Sequence, residues 1–303
     1  MFEPDFIKLT AQALGTDPSH LEKDWHAVRA LRVIESVPAP AVAAVFSGGT
    51  SLSAAWRLIN RFSEDIDFKV GIDAPTPSAA RARRGKFRAD VPEALNAAGF
   101  ILDGDVLIGN MSRFFRASFH YGAILPPAAG IRPTLQIEMT FGGTLIAPIA
   151  RPVQSLLAQA AKAPPEIAAM PCVDPVETAA DKISALAWRA AVRNRSSDKD
   201  DPTIVRHIHD LAALSASVGE SASLGELARG ILAADARRTG DPDADGLALL
   251  RAMLPTITGD PLWRIEYEQF VDAVAYGPDA DRIPFGQAMR RCTTLVGRVL
   301  DGR

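Results

Sequence analysis

The chain has 303 residues and only two cysteines, Cys172 and Cys292. Neither belongs to a pair with metal or redox spacing, which excludes a disulfide framework and points to a reducing compartment. No apolar run approaches the roughly 18 residues that a membrane-spanning helix needs. The start, Met1-Phe2-Glu3-Pro4-Asp5, lacks the basic residues and apolar stretch of a signal peptide. Charge of one sign is also missing, since 33 basic against 36 acidic residues leave a net −3. A wholesale nucleic-acid coat protein would be strongly basic, so any such contact must come from a local patch. No Lys follows a glycine loop as in a P-loop, and no G-x-G-x-x-G stands at a strand-to-helix turn. What remains is the expectation of a soluble, cytoplasmic protein with no membrane partner.

With 48% hydrophobic and 23% charged residues, the chain has ordinary globular composition. Residues 5–34 carry helical periodicity, as do Leu52, Ala55, Trp56 and Ile59, a helix that closes on Asn60 and Arg61. Between them, Ala41–Phe46 is an apolar run of strand length that ends in Ser47-Gly48-Gly49-Thr50. Strict alternation marks strands at 65–70, 115–121 and 135–141, with a basic helix expected over 78–98. After residue 150 strand signals vanish, and helices are expected at 152–161, 174–195, 202–217, 223–238, 243–254 and 260–275, with a last one ending near Leu300. The pattern predicts an α+β fold: a mixed sheet with helices over 1–150, then an all-helical domain over 151–303, with the active site in the cleft between them.

The most informative segment runs strand, Ser47-Gly48-Gly49-Thr50, helix, then Asp65-Ile66-Asp67 on a strand. Two glycines let backbone N–H groups approach an anion, and a helix N-terminus adds a positive dipole end. Aspartates at i and i+2 of a strand point the same way, about 6 to 7 Å apart at the backbone. Such a pair suits two Mg²⁺ or Mn²⁺ ions ~3.5–4 Å apart, the clamp of phosphoryl and nucleotidyl transfer. Glu138, on the polar side of its own strand, is a natural third carboxylate. A second Gly142-Gly143-Thr144 reads as an ordinary turn after a strand.

Gly48-Gly49-Thr50-Ser51-Leu52 and Arg61-Phe62-Ser63-Glu64-Asp65-Ile66-Asp67-Phe68 resemble the first motif of the AbiEii/AbiGii toxin family of nucleotidyltransferases, within the polymerase-β-like superfamily. The 15 residues between Gly49 and Asp65 exceed the superfamily's usual gap but fit this subfamily. The family's next motif is a lysine on a helix, matched by Lys182, with Arg189 and Arg193 on the same line. Its last is an Arg/Lys-Asp-x-x-Asp-Leu run, here Arg206-His207-Ile208-His209-Asp210-Leu211. Asp210 matches the second aspartate, while His207 stands where the first acidic residue is usual. His207 and His209 point apart on a helix and do not read as a zinc pair.

The resemblance implies transfer of an NMP from an NTP to RNA, such as a tRNA 3′ end. The protein would then be the toxin of a toxin–antitoxin or phage-abortive system, with a separately encoded antitoxin protein. Asp65 and Asp67 would hold the metals, and Glu138 would complete the set, serving as base. Ser47, Gly48, Gly49, Thr50 and Ser63 would face the nucleotide, and Lys182 would neutralise the triphosphate, with Asp210 beside it. Arg81, Arg83, Arg84, Lys86 and Arg88, five cations in eight residues, suit a nucleic-acid backbone. Alternatives are a protein or small-molecule acceptor such as an aminoglycoside, and an NTP-binding module without turnover.

Overall fold

The computed structural model describes residues 2–128, 131–278 and 282–302. Two compact units emerge, Met1–Asp174 with Tyr276–Pro278, and Pro175–Ala275 with Asp279–Arg303.

The first unit opens with α1 (Pro4–Leu14), which ends on Gly15 in the left-handed region, and α2 (Pro18–Glu35), whose Asp17 cap accepts from Ser19 N–H. Then come β1 (Val42–Ser47), α3 (Gly48–Ala54), β2 (Asp65–Ile72), α4 (Pro77–Ala97), β3 (Ile101–Gly109), β4 (Phe114–His120), β5 (Thr134–Phe141), β6 (Ile149–Val153), α5 (Leu156–Ala160) and β7 (Ile167–Cys172). The seven strands form one mixed sheet in the order β3-β4-β5-β2-β1-β7-β6. β2 runs antiparallel to β1 and parallel to β5, and β7 runs parallel to β1. Alternation directs Ile66, Phe68, Val70, Phe115, Phe119, Ile137 and Met139 into one core with Val28, Leu31 and Ile34 of α2 and Phe87, Val91 and Leu95 of α4. Burying a side chain of this size stabilises by about 1.5–3 kcal/mol. Burial of one face leaves the other face of β2 and β5 to polar residues.

The α+β class is as the sequence predicts, but three local readings are corrected. The helix after the glycines ends at Ala54, before Arg57 takes a φ of 55°. β3 escaped notice because Asp103-Gly104-Asp105 breaks its alternation where the pairing register with β4 shifts. Strands also continue past residue 150. β6 and β7 are short, and Pro152 and Pro171 interrupt their apolar pattern. Residues 151–174 are therefore part of the sheet unit and not of a helical one, and the unit boundary falls between Asp174 and Pro175.

The second unit is helical: α6 (Pro175–Val192), a 3₁₀ turn at Pro202–Val205, α7 (Arg206–Val218), α8 (Leu224–Asp235), a second 3₁₀ turn at Ala236–Thr239, α9 (Gly246–Gly259), α10 (Leu262–Val274) and α11 (Phe285–Asp301). α6 packs against α7, α8 and α9, burying Ile183, Leu186, Ala187 and Ala190 as its spacing dictates.

Candidate active site

The antiparallel register of β1 and β2 sets Ser47 opposite Asp67, so the chain turns into α3 directly over the aspartate. Gly48 takes a φ of 73°, and a Cβ there would lie 1.9 Å from Asp67 Oδ2. A Cβ on Gly49 would meet Ser63 Oγ at 2.7 Å and the Arg61 guanidinium at 2.9 Å. Gly48 is thus required by close approach and by its backbone, whereas a side chain at Gly49 would have to push aside Ser63 and Arg61, which converge on the turn. Ser47 and Thr50 are buried; the Thr50 hydroxyl donates to the Asp65 carbonyl oxygen, which ties α3 to β2 and occupies its proton.

Asp65 and Asp67 share the polar face of β2. The parallel pairing of β2 with β5 puts Glu138 opposite Asp67 and Gln136 opposite Asp65. Gln136 Nε2 lies 3.1 Å from Asp65 Oδ1 and 2.9 Å from Glu138 Oε1, bridging the two carboxylates. Arg116 of β4, in register with Glu138, approaches it to 3.8 Å. Arg132 reaches Asp65 Oδ1 with Nη2 at 2.5 Å and Gln136 Oε1 with Nη1 at 2.7 Å. Its Nε is 3.4 Å from Glu64, and Lys23 Nζ of α2 closes on Glu64 at 2.6 Å. Burial alone would raise the Glu64 carboxyl, but Lys23 and Arg132 outweigh it and hold it below the usual range.

Three of these residues, Gln136, Arg132 and Lys23, lay outside the sequence reading, and Glu64 stood in its motif without a role. The alternation that singles out Glu138 also puts Gln136 on the same face, a signal available in the sequence. Arg132 and Lys23 carry none: they come from a loop and a distant helix.

The donor set is of hard oxygens, which suits Mg²⁺ or Mn²⁺, and the turn at Gly48 leaves no side chain over Asp67. Among the described residues, no three His, Cys, Asp or Glu side chains converge into a complete ligand cage. Mg²⁺ keeps several waters and takes few carboxylates, a demand that Asp65, Asp67 and Glu138 could meet together with substrate phosphate.

In the second unit the structure brings Lys182 and Asp210 together, with Nζ 2.8 Å from Oδ2 and side-chain exposures of 9% and 0%. His209 Nδ1 lies 3.4 Å from the other Asp210 oxygen. His207 is buried with both ring nitrogens lacking a partner; desolvation and the nearby Arg206 and Lys182 push its pKa well below 6.5, so it stays neutral. Arg189 and Arg193 are structural: Arg189 pairs with Asp201, and Arg193 is clamped by Asp200 and Glu266 over Trp263.

The basic helix α4 is partly committed to local structure. Arg83 donates to the Asp73 carbonyl, Lys86 pairs with Asp90 at 2.8 Å, and Arg88 donates to the Ser112 carbonyl at 3.3 Å. Arg84 lies over the Phe141 ring, while Arg81 is exposed.

The geometry is thus a glycine turn set against an Asp-x-Asp strand, with a third carboxylate in register on the next strand of a mixed sheet. The model of the family described as nucleotidyl transferase AbiEii toxin, type IV toxin–antitoxin system, matches residues 29–291, and the chain belongs to that family. It is a nucleotidyltransferase toxin of a type IV system. No curated protein matches the chain. Among solved structures it is similar to MenT4, a nucleotidyltransferase toxin from Mycobacterium tuberculosis, at 17% identity and a TM-score of 0.49, covering 97% of this chain and 98% of that one. Among the described residues, no helix is long and apolar enough to cross a membrane.

Proposed function

We propose that the protein transfers an NMP from an NTP to an RNA acceptor, a tRNA 3′ end, in a Mg²⁺- or Mn²⁺-dependent reaction in the cytoplasm. The observation that carries this reading is the register of Asp67 with Glu138 beneath the Gly48 turn. Asp65, Asp67 and Glu138 are the residues that would hold the metal. When bound, a divalent ion there would neutralise triphosphate charge and lower the pKa of the attacking hydroxyl.

The remaining roles belong to the chain. Gly48 and Gly49 let the nucleotide's phosphates approach the backbone, with Ser47, Thr50 and Ser63 shaping that turn. Glu138 takes the proton of the acceptor hydroxyl at a carboxylate oxygen. Lys182, oriented by Asp210, supplies a cation for the triphosphate. On α4, Arg81 and Lys86 are the exposed cations for an RNA backbone, with Arg83, Arg84 and Arg88 adding to the field. Modification of tRNA would arrest translation, as an abortive-infection toxin requires, until a separately encoded antitoxin protein counters it.

The test is incubation with Mg²⁺, each α-labelled NTP in turn and total cellular RNA, followed by separation of labelled species. Label in tRNA-sized, nuclease-sensitive bands is expected. Label in protein or in an aminoglycoside would move the acceptor class. Nucleotide binding without pyrophosphate release would make the protein a non-catalytic module.

A further inference from the structure

We propose that Arg132 is a positioning residue that couples metal binding to nucleotide binding, by serving as the resident cation of Asp65 until a triphosphate draws it away. This rests on the reading of Asp65 as a metal ligand.

Three observations carry it. First, Arg132 sits where a cation is wanted: its guanidinium touches Asp65 Oδ1 at 2.5 Å, so an ion approaching that oxygen must compete with a fixed positive charge. Second, its backbone is held independently of that contact. The Arg132 N–H donates to Glu64 Oε1 at 2.9 Å and its carbonyl accepts from Lys23 Nζ at 2.8 Å. Residues before it are held to the same helix, with Glu22 accepting from the N–H groups of Ile124 and Leu125, and Ser19 Oγ accepting from Ala128 N–H. The side chain can therefore leave Asp65 while its anchor stays. Third, the Arg132 side chain is 39% exposed, unlike that of Lys23 at 6%, so a ligand from solvent can reach it. A planar guanidinium released from one carboxylate is well suited to grip phosphate oxygens through paired N–H groups.

The consequence is linkage. Metal alone must displace Arg132 and binds weakly. A triphosphate takes Arg132 off Asp65, so metal then binds more tightly, and by reciprocity metal tightens nucleotide. The device would disfavour a metal-loaded site without substrate.

The experiment measures Mn²⁺ affinity by electron paramagnetic resonance, with and without a saturating mixture of four non-hydrolysable α,β-imido NTPs. It compares wild type, Arg132→Gln, Glu64→Gln and Asp65→Asn, with melting curves to confirm folding. For wild type, nucleotide should tighten Mn²⁺ roughly tenfold, within the usual range of coupled sites. Arg132→Gln should bind Mn²⁺ alone roughly tenfold more tightly than wild type and gain little from nucleotide. Glu64→Gln, which loosens the backbone anchor and weakens one side contact of the guanidinium but leaves its contact with Asp65, should keep the coupling. Asp65-dependent Mn²⁺ binding with wild-type affinity and coupling in Arg132→Gln overturns this proposal alone. So does a Glu64→Gln that reproduces Arg132→Gln. Mn²⁺ binding that is absent, or unaffected by Asp65→Asn, overturns the metal reading and this proposal with it.

Discussion

Asp67 stands where it does because Gly48 has no side chain: a methyl group on that glycine would lie 1.9 Å from Asp67 Oδ2. Gly48→Ala also forces an L residue to a φ of 73°, at a cost of about 1–2 kcal/mol. The displaced carboxylate matters more than the strain. We expect transfer to fall on the order of 10²-fold, as for a misplaced catalytic group, with a small shift in the denaturation midpoint. Gly142→Ala is the control, because nothing lies within 4 Å of its Cβ position. Equal transfer rates in the two variants would remove the requirement for close approach at Gly48.

Nucleotide binding should depend on metal and on both aspartates. In Asp65→Ala and Asp67→Ala, calorimetry should show that Mg²⁺ no longer strengthens NTP binding, while circular dichroism stays native. Unchanged metal-dependent affinity in the double variant would end the reading of this strand face as a metal site.

The pair of Lys182 and Asp210 separates stability from function. Asp210→Ala leaves a buried ammonium without its counter-ion, which costs about 3–5 kcal/mol. A Lys182→Met/Asp210→Leu double variant removes both charges and should recover most of that stability in urea denaturation. If Lys182 serves the triphosphate as proposed, transfer should not recover. Restored transfer in the double variant would make the pair purely structural.

Asp24 gives the first unit a pH dependence of known sign. Desolvation pushes its carboxyl up to about 7, against a hydrogen bond from Leu156 N–H and with the help of Glu166. A raised carboxyl binds its proton more tightly folded than unfolded. Its contribution is full below the ordinary value of 3.8 and is lost as pH climbs through 7. Asp24→Asn, which mimics the protonated form, should therefore gain melting temperature over wild type between pH 5 and pH 8. A constant difference between the two proteins across that range would refute the shifted carboxyl.

On α4, Arg81 and Lys86 are the exposed cations of the basic run. Charge reversal at these two should weaken RNA modification and flatten its salt dependence, leaving NTP binding unchanged. Reversal at Arg83 and Arg88 should instead loosen the fold, since both donate to backbone carbonyls. Salt-independent, full activity in the Arg81/Lys86 variant would return the helix to a solvated face.

The sheet was legible where one face is buried and the other wet: β2, β4 and β5 announce themselves by alternation, and with β2 come Asp65 and Asp67. β3 lies at the sheet edge, where little burial enforces a pattern, and β6 and β7 carry prolines that mask theirs. Glu138 was legible because its strand alternates. That it faces Asp67 was not, since pairing β2 with β5 reaches across α4, the β3–β4 hairpin and the loop after it. Arg132 was hidden for a related reason. Its place on Asp65 depends on Lys23 and Glu64, which meet only after α2 and β2 pack.

The most direct measurement compares α-labelled and γ-labelled NTP in otherwise identical reactions with RNA and Mg²⁺, using wild type and Asp67→Asn. Nucleotidyl transfer at the Asp65–Asp67 face requires label from the α position to enter RNA, an equal amount of pyrophosphate to appear, and both to vanish in Asp67→Asn. Label entering RNA from the γ position, or undiminished α-label transfer by Asp67→Asn, would contradict it.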